Sequence, residues 1–70
     1  MKSLEQITVA EFEDFEAVLQ SGLYNVVDPR AQKLSGLDKD TYWSVIHHYP
    51  ALAAKWPEII ARIRAERLPS

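Results

Sequence analysis

The fold is decided by LDKDTYWSVIHHYP, residues 37–50, in which the start, the apolar face and the end of one helix can all be identified. Asp38 has the side chain of an N-cap, whose oxygen accepts a hydrogen bond from the amides of the first helical turn. Leu37 and Tyr42 stand at the two positions that pack together as a hydrophobic staple. The stretch therefore predicts a helix that starts at Lys39.

The same stretch also predicts the apolar face and the end of this helix. Its apolar side chains recur at spacings of three and four residues, as in Tyr42, Val45, Ile46 and Tyr49. Pro50 disfavours helical geometry at Tyr49, so the helix is expected to end there or one residue earlier. We expect this to be the central helix, against which the others pack.

Length and composition bound the class of protein. The chain has 70 residues, of which 47% are hydrophobic and none is cysteine, so residues 1–70 are expected to form a single domain that is stabilised by packing. A homodimer that shares its core is the alternative to folding alone. No apolar run approaches the roughly 20 residues that span a bilayer, and no leader pattern is visible. We expect a cytoplasmic protein without a membrane partner.

A first long helix is predicted from Val9 to about Ser21. Thr8 and Glu11 have the spacing of a capping box, and Ile7 and Phe12 occupy the staple positions around it. Gly22 follows the last apolar position, where a left-handed residue closes a helix. A shorter turn over residues 3–6 precedes this helix.

The middle of the chain predicts a buried connector and a short second helix. Residues 24–27 contain adjacent valines without a second strand to pair with, so we interpret them as irregular. Asp28 and Pro29 form the N-cap and first position of the next helix, and Gly36 ends it. The joint between this helix and the one at Lys39 is short, which predicts a steep crossing of the two axes.

The C-terminal part is predicted to form two helical pieces, residues 51–55 and 57–67. Pro57 removes a backbone hydrogen bond and pushes Trp56 out of helical geometry, which favours a break over one kinked helix. The whole chain is thus expected to be an all-α, compact bundle of four to five short helices. Its predicted core consists of Phe12, Phe15, Leu19, Leu34, Tyr42, Val45, Ile46, Leu52, Trp56, Ile59 and Ile63.

The charges are unevenly distributed. Residues 1–28 hold six acidic residues and one lysine, whereas residues 29–70 hold seven basic and four acidic residues, so the two parts carry −5 and +3. The asymmetry is explained either by solvated faces and helix-dipole partners or by a charged surface for a partner of opposite sign.

The residue pattern does not favour catalysis. The carboxylates cluster at helix starts, where capping accounts for them, and no glycine-rich phosphate loop or catalytic triad order is present. His47 and His48 are adjacent on a helix, so they point about 100° apart and cannot chelate one ion together. One of them is expected to be exposed and the other to lie at the core edge. We expect a protein that is not an enzyme and needs neither a metal nor a cofactor.

The joint at Gly36 also permits a helix-turn-helix interpretation, in which the second helix enters the DNA major groove. The reading residues would then be Lys39, Thr41, Ser44, His47 and His48. Gln32 stands where that motif expects a small residue, and Asp38 and Asp40 would repel phosphate at the reading end. Nucleic acid is therefore the secondary alternative.

Protein recognition is the preferred interpretation. Two tryptophans and three tyrosines exceed what a narrow core readily encloses, and aromatic residues with arginine are typical interface anchors. The candidate contact residues are Tyr24, Trp43, Tyr49, Arg62, Arg64 and Arg67. The alternative for Trp43 and Trp56 is that both fill the core.

One resemblance rests on residues already described. The order Ser21-Gly22, Asn25, Asp28, Leu34 and Gly36, followed by a helix with Tyr42, Val45 and Ile46, resembles short uncharacterised proteins encoded by phages and prophages. The resemblance covers roughly residues 18–49. It implies a small accessory protein that acts by binding a host or phage protein.

Overall fold

The computed structural model describes residues 1–67, and all regular structure in this part of the chain is helical. A 3₁₀ helix, Leu4–Gln6, is followed by α1 (Val9–Ser21), α2 (Pro29–Ser35), α3 (Lys39–His47), α4 (Tyr49–Lys55) and α5 (Pro57–Arg67). The predicted all-α bundle of short helices is confirmed.

Helix α1 begins and ends at the predicted residues because both ends are capped. The Thr8 hydroxyl accepts from the Glu11 amide at 3.2 Å, and Glu11 Oε1 accepts from the Thr8 amide at 2.9 Å. Gly22 closes the helix with φ 68°, a left-handed conformation that costs glycine little. The start of the helix at Val9 is therefore set by a reciprocal pair of hydrogen bonds.

The limits of α2 and α3 follow from the same local chemistry. Asp28 Oδ1 accepts from the Arg30 amide at 2.9 Å, and Asp38 Oδ2 accepts from the Thr41 amide at 3.4 Å. Gly36, with φ 76°, ends α2 only two residues before the cap of α3. The capping residues predicted for both helices are confirmed.

The two predicted interruptions in the second half of the chain are both present. Helix α3 ends at His47, just before the predicted limit, and α4 starts at Tyr49 rather than at residue 51. Pro50 is tolerated there because an amide in the first turn of a helix has no intrahelical partner. Trp56 leaves helical geometry with φ −129° and ψ 58°, so α4 and α5 are separate helices.

Helix α1, rather than α3, is the hub of the fold. It packs against α5, α2 and α3, whereas α3 packs against α1 and α4. The expectation that the helix starting at Lys39 is central is therefore wrong. The buried apolar side chains come from each of the helices α1 to α5 and from two of the loops, and they are Ile7, Phe12, Phe15, Val18, Ala31, Leu37, Tyr42, Val45, Leu52 and Ile59.

Two predicted core leucines lie at the surface. Leu19 is 37% exposed and Leu34 is 51% exposed. Helix α2 turns Ala31 and Ser35 inward, one helical turn apart, and this rotation leaves Leu34 at the solvent boundary. On α1 the core accepts the acidic side chain of Glu16 in addition to the predicted apolar face. Periodicity places residues on a face, but the neighbouring helices decide how wide the covered face is.

The remaining predicted core residues are covered to different extents. Ile46, Trp56 and Ile63 are partly buried and pack against the edge of the core. The connector between α1 and α2 is not buried as a whole, because Val26 is partly buried whereas Val27 is 58% exposed. This exposed valine lies beside the site described next.

Candidate functional site

A cleft of about 320 Å³ lies between the connector, the start of α2 and the outer face of α3. Its walls are formed by Val27, Asp28, Pro29, Gln32, Lys39, Tyr42 and Trp43. We call it the Trp43 cleft. Its volume is at the lower end of the range of small-ligand pockets, so it has room for a single large side chain or a small molecule.

The apolar wall of the Trp43 cleft follows from two consecutive aromatic residues on α3. Neighbouring helical positions are about 100° apart, so Tyr42 faces the core at 1% exposure while Trp43 lies at the outer edge with 36% exposure. The two rings meet edge-on with centroids 6.3 Å apart. Tyr42 therefore provides a buried ring against which the more exposed Trp43 packs.

The connector, which contributes Val27 to the cleft, is held against α3 by a hydrogen bond. The Tyr42 hydroxyl donates to the Val26 carbonyl at 2.6 Å. This bond pins the connector to α3 and leaves the next residue, Val27, turned outward. The exposed side chains of Trp43 and Val27 therefore both border the Trp43 cleft.

Most polar groups around the Trp43 cleft are already used within the fold. The Asp28 carboxylate binds the Arg30 guanidinium at 2.8 Å and 3.2 Å, and this contact holds the pKa of Asp28 below its usual range. The Gln32 side-chain amide donates to the Leu37 carbonyl at 2.6 Å. Lys39 is exposed and has no ion-pair partner among residues 1–67.

The structure brings two of the predicted contact residues together. Trp43 lines the cleft, and Tyr24 lies next to it through Arg30, whose guanidinium carbon is 4.6 Å from the centre of the Tyr24 ring. Because Arg30 also binds Asp28, the side chains of Tyr24, Arg30 and Asp28 form one connected group beside the cleft. The cleft residues Val27, Pro29 and Gln32 were not predicted, since nothing in a linear pattern shows that a connector valine will face solvent.

Tyr49 does not line the Trp43 cleft; it is partly buried and packs against the core. Its ring centroid lies 5.9 Å from that of Phe12 and 5.8 Å from that of Phe15. Its hydroxyl donates to Glu16 Oε1 at 2.7 Å. Burial, with added hydrogen bonding and charge from Glu16, raises the pKa of the Tyr49 phenol well above its ordinary value.

The raised pKa of Tyr49 predicts a loss of stability at alkaline pH. A tyrosine in the unfolded chain ionises near pH 10, whereas Tyr49 in the folded protein keeps its proton to higher pH. Above about pH 10 the unfolded state therefore releases protons first, and the free energy of unfolding falls. Urea denaturation between pH 8 and about pH 11 is expected to show a shallower decline for Tyr49→Phe than for the wild type. Parallel declines would contradict this.

Arg62 and Arg64 of α5 do not line the Trp43 cleft. Arg62 Nη2 binds Glu13 Oε1 on α1 at 2.7 Å, so this arginine takes part in the attraction between the acidic and basic parts of the chain. Arg64 is exposed and lies near enough to Tyr49 to act on its pKa, in the lowering direction. Helix α5 extends to Arg67, whose side chain lies outside the described part of the structure.

The residues proposed to read DNA do not form one exposed face. Thr41 is 1% exposed, and Ser44 is fully buried, where its hydroxyl accepts from the Lys2 amide at 2.7 Å and donates to the Asp40 carbonyl at 2.7 Å. The expectation that these two side chains face a DNA groove is wrong. Ser44 faces the N-terminal segment, through its hydrogen bond with Lys2.

The histidine pair divides as expected. His47 is exposed, whereas His48 is partly buried, with Nε2 3.2 Å from the Lys2 carbonyl. The two ring centroids are 4.8 Å apart and nearly perpendicular. In residues 1–67 no group of three or more histidine, cysteine or acidic side chains is arranged to hold a metal ion.

A second exposed apolar surface lies between α1 and α2. Leu23 is 67% exposed and Leu34 is 51% exposed, and both border a hollow that also includes Ala17 and Val18. No aromatic residue and no lysine or arginine line it. This hollow provides an internal comparison for tests of the Trp43 cleft.

Comparison with known proteins gives no match: no family model, curated protein or solved structure is significantly similar to this chain. Among the helices in residues 1–67, none combines the length and apolar character that crossing a bilayer requires. Function is therefore inferred from the geometry of the Trp43 cleft.

Proposed function

We propose that this protein is a non-catalytic protein-interaction module that binds its partner through the Trp43 cleft. The observation that carries the proposal is the 36% exposure of Trp43 above an apolar depression that includes the 58% exposed Val27. Rigid aromatic residues beside a preformed pocket are typical anchors of protein interfaces, because they bury a large area at a small entropic cost.

The polar groups of the cleft support binding rather than catalysis. Asp28, Gln32 and Tyr42 each use a side-chain polar atom in a hydrogen bond within the fold, at distances of 2.6 to 3.2 Å. These bonds stiffen the walls, so a partner meets a preformed surface. The chemistry left for a partner is apolar contact together with one ammonium group.

The nature of the partner is suggested by the resemblance of residues 18–49 to short phage- and prophage-encoded proteins. This segment contains α2, α3 and the connector, and thus every residue that lines the Trp43 cleft. The proposed role is that of an accessory protein that binds a host or phage protein. DNA binding by residues 39–48 is not proposed, because Thr41 and Ser44 are buried.

Site-specific photo-crosslinking in cells that naturally encode the chain tests this proposal. A benzophenone amino acid at Val27 is expected to yield one discrete protein adduct. The same group at Leu34, on the second apolar hollow, and at Ala54, an exposed position on α4, is expected to yield none. Trp43→Ala in the Val27 variant is expected to abolish the adduct while the far-ultraviolet circular dichroism stays unchanged.

Three results would contradict the proposal. They are the absence of an adduct at Val27, equal adducts at all three positions, and an adduct that survives Trp43→Ala. An adduct with twice the mass of the chain would instead identify a second copy as the partner, which is the homodimer considered from the sequence.

A further inference from the structure

Lys39 is the one charged side chain of the Trp43 cleft that lacks a counter-ion among residues 1–67. The other charged residue of the lining, Asp28, is neutralised by Arg30 through two contacts. Among the residues that line the cleft, the Lys39 ammonium is therefore the unpaired charge, and it lies next to apolar walls. A ligand that complements both features has a carboxylate beside its apolar group.

The acidic neighbours of Lys39 in sequence do not neutralise it. Asp38 Oδ2 accepts from the Thr41 amide as the cap of α3, and Asp40 Oδ1 lies 3.2 Å from the Met1 amino group. Both carboxylates are thus engaged at the start of α3 and by the N-terminal segment. Lys39 lies on the cleft side of the same helical turn.

The remaining walls favour a large apolar side chain as the inserted group. The buried Tyr42 lines the cleft together with the exposed side chains of Trp43 and Val27. A volume of about 320 Å³ has room for one aromatic side chain between them. Aromatic groups on such walls gain edge-on or offset ring contacts in addition to the burial of their area.

We infer that the Trp43 cleft binds a partner segment in which an aromatic side chain stands beside a carboxylate, with the ring between Val27 and Trp43 and the carboxylate paired to the Lys39 ammonium. This inference rests on the proposed function and specifies the chemistry of its partner.

A folded second copy of this chain does not present such a segment. Of the seven aromatic residues in the chain, two directly adjoin acidic residues in the sequence: Phe12, between Glu11 and Glu13, and Phe15, between Asp14 and Glu16. Phe12 is fully buried and Phe15 is 2% exposed, so neither is available on the folded surface. The occupant that fits is therefore a different protein.

Nuclear magnetic resonance with small probes tests the inference without a known partner. The ¹⁵N-labelled full chain is titrated with 3-phenylpropionate, and with 3-phenylpropionamide and 2-phenylethylamine as neutral and cationic controls. We expect saturable shifts of the Trp43 indole N–H and the Gln32 side-chain amide. The carboxylate is expected to bind about two- to fivefold more tightly than the amide, as an exposed ion pair allows, and the amine more weakly than both.

Charge reversal at Lys39 provides the decisive comparison. Lys39→Glu is expected to invert the order, so that 2-phenylethylamine becomes the tightest probe. An acidic residue suits the first turn of a helix, so the variant is expected to fold. Lys33→Glu makes the same change at an exposed position on α2 outside the cleft, and it is expected to leave the order unchanged. Trp43→Ala is expected to weaken all three probes.

The outcomes separate this inference from the proposed function. Equal affinities for the three probes, no shift at the cleft, or an unchanged order in Lys39→Glu would overturn the inference, even if crosslinking at Val27 still captures a protein. If the probes follow the expected order but Val27 captures no protein, the chemistry of the cleft stands and the protein-binding function fails.

Discussion

Phe12→Ala is expected to destabilise the protein by about 3–5 kcal/mol. Phe12 is fully buried at the centre of the aromatic cluster, with its ring centroid 5.9 Å from that of Tyr49 and 5.7 Å from that of Trp56. Truncation of a buried phenylalanine costs about 3–5 kcal/mol because it removes apolar burial and leaves a cavity. A 70-residue domain has roughly 4–10 kcal/mol of stability, so the loss takes up a large part of it.

Urea denaturation followed by circular dichroism measures the effect of Phe12→Ala. Val9→Ala is the matched control on the same helix, because Val9 is 41% exposed, and its change is expected to stay within about 0.5 kcal/mol. A loss below about 1 kcal/mol for Phe12→Ala would contradict the role of α1 as the hub, since it would show that the neighbouring helices hold together without this side chain.

The helix limits were predictable because capping depends only on neighbouring residues. Thr8 with Glu11, Asp28 and Asp38 form the expected hydrogen bonds with amides two or three residues away, and the glycines at 22 and 36 take the expected left-handed conformation. The choice of the hub was wrong because it depends on contacts between distant parts of the chain. Helices α2, α3 and α5 all pack against α1, and no local sequence pattern indicates these contacts.

The candidate site was predictable only in part for the same reason. The number of aromatic residues predicted that Tyr24, Trp43 and Tyr49 are all contact residues. Tyr49 instead packs against the core, where its hydroxyl donates to Glu16, 33 positions away in the sequence. Val27 becomes a wall only because the Tyr42 hydroxyl binds the preceding carbonyl. Lys39 was predicted as a DNA contact, and its place beside Trp43 follows from the orientation of α3.

Glu16 is the residue whose burial differs most from what its local sequence predicts. An acidic residue in an acidic helix is expected at the surface, yet Glu16 is only 2% exposed. Its carboxylate accepts from the Tyr49 hydroxyl at 2.7 Å and from the Gln20 side-chain amide at 2.6 Å. Among residues 1–66, whose side chains the structure describes, no basic side chain forms an ion pair with it. A buried charge held by neutral donors alone depends strongly on each of those donors.

Tyr49→Phe is therefore expected to cost about 1.5–3 kcal/mol at neutral pH, the range for a hydrogen bond to a charged group. The variant keeps the ring but leaves the buried Glu16 carboxylate with one donor fewer. Glu16→Leu is expected to cost less, because the Gln20 amide still donates to the Ile60 carbonyl at 3.2 Å and only the Tyr49 hydroxyl loses its partner. Urea denaturation at pH 7 measures both changes, with Asp14→Asn at an exposed position on the same helix as the control.

The double variant Glu16→Leu/Tyr49→Phe tests whether the hydrogen-bonded pair has a net stabilising effect. The alternative is that each side chain matters only because removing it leaves the other buried without a partner. Replacing both partners by apolar groups of similar shape removes the desolvation cost along with the hydrogen bond, so the double variant is expected to lie within about 1 kcal/mol of the wild type. Its stability is then higher than that of Tyr49→Phe alone, and the cycle shows coupling between the two sites. Losses that simply add would mean that the two side chains contribute independently, and that the hydrogen bond between Tyr49 and Glu16 carries no energetic weight.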